Sequence, residues 1–75
     1  MDILNKVRNV IKVMRKFKED NRMTSELKVS VAEDVFDTLK STGMMIQDYT
    51  GRYFLDNTPV YVLHDEYPEG YVAVE

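Results

Sequence analysis

Four cations are the first candidates for chemistry. Arg8, Lys12, Arg15 and Lys16 lie within KVRNVIKVMRKFK, residues 6–18, and on a helical wheel they project over an arc of about 100°. Guanidinium and ammonium groups gathered on one helix face suit an anionic partner. One class is nucleic acid, where such a face would meet roughly three or four phosphates and bind with the salt sensitivity of counterion release. No aromatic side chain stands among the cations to stack a base, and a net charge of −3 opposes long-range attraction to a duplex. A membrane surface needs bulky interfacial anchors, and Phe17 alone qualifies, so no membrane partner is expected. The solvated back of a core helix is the favoured reading, docking on an acidic protein surface comes next, and nucleic acid is the lesser alternative.

Tyrosine is the second candidate. Tyr49, Tyr53, Tyr61, Tyr67 and Tyr71 all fall in the later part of the chain. Alternation along VYVL, residues 60–63, directs Val60 and Val62 toward the helices and Tyr61 and Leu63 to the other side. Cross-strand pairing is expected to bring Tyr53 and Tyr71 beside Tyr61. Tyrosine is enriched at protein interfaces, so Tyr53, Tyr61 and Tyr71 join Arg8, Lys12 and Arg15 as interface candidates. Asp48, Asp56, Asp65, Glu66 and Glu69 form an acidic rim. Carboxylates spaced regularly on one surface can imitate the phosphates of DNA, but these sit in separate turns.

Enzymatic signals are weak. HDEYPEG, residues 64–70, gathers His64, Asp65, Glu66 and Glu69, and a histidine beside carboxylates can serve as a general base or half a metal site. No second histidine and no cysteine exists to complete a ligand set or a disulfide, and polar residues are what a surface turn requires. There is no glycine-rich phosphate loop and no glycine-flanked serine. The expectation is a non-enzymatic protein with no catalytic residue, no metal and no cofactor.

The elements that must position these groups follow from periodicity. Ile3, Val7, Val10, Met14 and Phe17 recur at spacings of four and three, and Leu4 and Ile11 widen the stripe to about 140°. This predicts an amphipathic helix over residues 2–20, its apolar side hidden in the fold, with Asp2 near its start and Lys16 and Lys18 near its end as the helix dipole prefers. Packing on its own sheet is the primary reading of the stripe, and a two-fold dimer through this helix is the alternative. SELKV, residues 25–29, predicts a strand. Ser30 stands three residues before Glu33 as in a capping box. A second helix follows, with Val31, Val35, Phe36 and Leu39 on its apolar face and Gly43 at its left-handed end. MMIQ, RYFL, VYVL and YVAV predict four further strands, separated by the turns DYTG, DNTP and HDEYPEG. The fold class is therefore α+β: two layers in the order α-β-α-β-β-β-β, a mostly antiparallel sheet with helices on one face, and a right-handed crossover if the strands flanking the second helix pair in parallel.

Seventy-five residues, 44% hydrophobic and 31% charged, fit one globular domain. Its charge is split: residues 1–22 carry +4 and residues 23–75 carry −7. Such asymmetry marks a contact with something anionic, or a basic helix docked on an acidic body. No apolar run approaches the ~20 residues that span a bilayer, and the charged opening does not match a secretory leader, so an intracellular, cytoplasmic setting is expected.

Two stretches, LKVSVAEDVFDTLKSTG and TPVYVLHDEYPEGYVAV, resemble patterns in small proteins of tailed phages and prophages. In coat proteins of tailed phages a Pro-Val strand and an acidic Pro-x-Gly turn recur in this way. The resemblance covers residues 27–74 and carries over no functional residue. It implies a phage-encoded accessory protein, either a minor structural component or a binder of a host protein, acting in the host cytoplasm or the virion. With the residues themselves, it leads to the expectation of a protein–protein interaction module, with nucleic-acid binding through the cationic helix face as the alternative.

Overall fold

A computed structural model describes residues 2–64 and 66–75. The chain runs α1 (Ile3–Asp20), β1 (Val29–Ala32), α2 (Glu33–Ser41), β2 (Ile46–Gln47), β3 (Tyr53–Leu55), β4 (Thr58–Leu63) and β5 (Val72–Val74). This is the α+β order that the periodicities predict. The strands form one sheet in the order β2-β3-β4-β1-β5. All neighbours are antiparallel except β1 and β4, which pair in parallel with Val29 opposite Val60 and Val31 opposite Val62. The strands flanking α2 are therefore not partners: β1 is separated from β2 by β4 and β3, and the parallel strand it meets is β4.

Helix α1 begins where Asp2, in extended conformation, accepts a bond from the Leu4 amide at 3.0 Å, satisfying one of the free first-turn donors. It ends with Arg22 at φ 53°, whose amide bonds Glu19 while the Met23 amide bonds Lys18. That pairing is a Schellman-type stop, made here without glycine. Helix α2 departs from its expected capping. Residues 29–32, including Ser30 and Val31, form strand β1, so Ser30 caps nothing; the N-cap is Ala32, without a side-chain bond. Glu33 and Asp34 in the first turn supply negative charge to the helix N-terminus instead. Gly43 closes the helix at φ 73°, as the sequence predicts.

Val7 and Ile11 of α1, Val35 and Leu39 of α2, and Val29, Val31, Leu55 and Val60 of the sheet form one buried core. All four sheet residues occupy one face, as their register requires, so both helices cover that face and leave the other open. Most of the stripe on α1 is used: Ile3 and Leu4 are half-buried against the core. Val7 and Ile11 are buried and Met14 is half-buried. Val10, Phe17 and Val13 are 37%, 51% and 66% exposed. The expectation that the apolar side of this helix is hidden holds for Ile3, Leu4, Val7, Ile11 and Met14 and is corrected for Val10 and Phe17; Val13 lies off that stripe.

Candidate functional site

Two of the four cations on the cationic face of α1 are occupied by its own chain. Residues 56–57 make a two-residue turn between β3 and β4, both with positive φ (50° and 63°), the conformation of a hairpin turn that matches strand twist. Arg8 Nε donates to Asp56 Oδ2 at 3.0 Å. Arg15 Nη2 donates to the Asp56 carbonyl and to Thr58 Oγ1, both at 2.7 Å. Thr58 is 1% exposed and sits on the helix side of β4. The two arginines thus clamp the hairpin to the helix, and Asp56 is taken out of the acidic rim. Lys12 and Lys16 are exposed, without an ion pair among the described residues. Lys18 donates to the Ser25 hydroxyl at 2.9 Å, holding the connection to β1.

The hairpin register decides the tyrosines. With the turn confined to 56–57, Leu55 faces Thr58 and Tyr53 faces Val60. Tyr53 therefore lies on the helix side, edge-on to Phe36 with ring centroids 5.1 Å apart, beneath the Lys40 ammonium at 5.6 Å. Its expected place beside Tyr61 on the outer face is corrected. A turn of two or of four residues keeps the same parity, and either one sets Phe54, not Tyr53, on the side of Tyr61. Tyr61 is on the outer face as expected, 39% exposed, its hydroxyl accepting a bond from Arg52 Nη2 at 2.9 Å. Tyr71 precedes β5 and packs on Tyr67 at 4.9 Å between centroids.

Pairing identifies what else lies on the open face. Ile46 is opposite Phe54, Phe54 opposite Pro59, and Tyr61 in line with Ser30 and Ala73. Leu63 stands two residues beyond Tyr61 on the same side. Ile46 is 69% exposed, and Phe54, Pro59 and Leu63 are half-buried. None of these four belongs to the core or packs on it. They form an apolar surface on the open face of the sheet, with Arg52, bonded to Tyr61, at its margin. The sequence carried a signal for Phe54, because Asp56 and Asn57 both tolerate the left-handed conformation of a two-residue turn.

The loop after β4 is tied down by backbone and helix: the Gly70 amide donates to Asp34 Oδ2 at 2.9 Å, and His64 Nδ1 lies 3.4 Å from Glu33 Oε1, both side chains exposed. His64 thus meets a carboxylate of α2; Asp65 falls outside the described residues. Asp48 Oδ1 accepts from the Thr50 hydroxyl at 2.6 Å and from the amides of Thr50 and Arg52. The Thr50 hydroxyl, followed by these amides, holds its carboxyl below the usual carboxylate range. Among the described residues no group of three or more histidine or acidic side chains is placed to hold a metal ion, and no helix is long and apolar enough to cross a membrane.

By its architecture the chain belongs to the two-layer α+β class. In comparison with known proteins no family model matches it, and no curated protein and no solved structure is significantly similar. The likeness to phage proteins therefore stands on the two quoted motifs alone.

Proposed function

We propose that this chain is a small non-enzymatic protein–protein interaction module that works through its open sheet face. The observation that carries the reading is the row of Ile46, Phe54, Pro59, Tyr61 and Leu63 left uncovered opposite the helices. An aromatic and aliphatic centre bordered by an arginine is the composition of an interface core. Arg52 gives one bond to Tyr61 and has further donors free for a partner, so the partner that fits is a protein with an apolar patch and a carboxylate beside it. A phage accessory protein that binds a host protein is one setting consistent with the quoted motifs. The non-enzymatic reading rests on composition: no cysteine, and a single histidine that is exposed and faces Glu33.

Nucleic-acid binding through α1 has less support, because Arg8 and Arg15 are spent on the hairpin and leave Lys12 and Lys16 as free cations on that face. The test is capture from the native host, identification of the captured protein, and titration of the purified partner. Tyr61→Ala and Phe54→Ser should each weaken it by about tenfold or more while the far-ultraviolet circular dichroism is unchanged. Unaltered affinity, together with salt-sensitive nucleic-acid binding abolished by Lys12→Glu and Lys16→Glu, would overturn the reading.

A further inference from the structure

The exposed half of α1 has a pattern of its own. Val10, Val13 and Phe17 lie on a strip beside the buried face, outside the core. Lys6 and Asp20, both exposed, sit on the same strip at its two ends. At 1.5 Å rise per residue they are about 21 Å apart along the axis, and Val13 is midway between them. Neither has an ion-pair partner among the described residues. Each is also at the end of the helix that the macrodipole disfavours: the cation near the N-terminus, the anion in the last turn.

The geometry points to a second copy of this chain as the occupant of that strip, docked antiparallel about a two-fold axis beside Val13. In that arrangement Lys6 faces Asp20 of the other copy at both ends. Each charge then lies next to the partner helix's opposite terminus, where the dipole favours it. Val13 meets its own counterpart at the centre. Phe17 falls within one residue of the other copy's Val10, and both lie on the same flank, as two-fold symmetry requires. Lys16 falls on the opposite flank beside Asn9, a polar contact at the rim. A parallel pair would set Lys6 against Lys6 and Asp20 against Asp20. The strip is separate from the open sheet face, so dimerisation and partner capture can be tested independently.

Sedimentation of the full chain across concentration tests the proposal. The expected result is a reversible species of twice the 8.8 kDa chain mass. Val13→Lys, at an exposed position, should return it to single-chain mass with its circular dichroism intact. Lys6→Glu or Asp20→Lys alone should weaken association by about tenfold, and the two together should restore it. A chain that remains at single mass up to roughly 1 mM overturns the proposal, and so does a dimer indifferent to Val13→Lys. Failure of the double reversal to rescue overturns the antiparallel arrangement.

Discussion

If the cationic face of α1 serves to hold the β3–β4 hairpin, then Arg15→Ala must cost stability before it costs anything else. The side chain makes two short bonds through one nitrogen, to the Asp56 carbonyl and to Thr58 Oγ1. Bonds from a charged donor are worth roughly 1.5–3 kcal/mol when desolvated. Here the bond to Asp56 is exposed and the bond to Thr58 partly buried, so the pair together is discounted to about 1.5 kcal/mol. Truncation also leaves Thr58 Oγ1, on a residue 1% exposed, with only a 3.4 Å contact to the Asp56 carbonyl. For a chain of this size 1.5 kcal/mol lowers Tm by roughly 6–12 °C. Thermal and urea unfolding of Arg15→Ala, Thr58→Val and the double variant would measure it, with a coupling of at least about 0.5 kcal/mol expected between the two sites. Lys12→Ala, an exposed cation of the same helix, should stay within about 0.5 kcal/mol of the parent. If Arg15→Ala leaves Tm unchanged, or if the cycle shows no coupling, the clamp is not what places this arginine, and the cationic face must be explained by an external anion.

Two further outcomes follow from local geometry. Arg22 holds a left-handed conformation without glycine, so Arg22→Gly should raise stability by about 0.5–1 kcal/mol, read as an increase in the urea midpoint at constant slope. Asp48 has a folded carboxyl below the ordinary value of 3.8, so its stabilising contribution is fully present above that value and is lost as pH falls through the lower folded one. Asp48→Asn should therefore lower Tm at neutral pH and flatten the acid limb of the Tm-versus-pH curve; an unchanged acid limb would show that the turn does not use the charge.

How far these features were legible depends on how local they are. The periodicity of Ile3, Val7, Val10, Met14 and Phe17, the charge at Asp2, the cap at Gly43 and the alternation of VYVL were sufficient to establish two helices, a late run of strands and a two-layer α+β class. They could do so because helical and extended periodicities and capping bonds join residues within a few positions of one another. The strand expected at residues 25–29 lies instead at 29–32, because Ser30 and Glu33 have capping-box spacing while the place between β4 and β5 makes Val29–Ala32 a strand, through backbone bonds that no local pattern reports.

The candidate sites were less legible, for the same reason. Arg8 and Asp56 are 48 residues apart in sequence, and nothing near either one reveals the other. Tyr53 lies opposite Val60, so the period of two along a strand places it with Val60 on the helix side and gives the Tyr61 side to Phe54. By itself the sequence determined that one helix would carry an apolar stripe opposite a cationic one. The strand order and the reach of two arginines decided which residues of that stripe were buried and which cations stayed free, since burial and pairing are properties of elements brought together from distant parts of the chain.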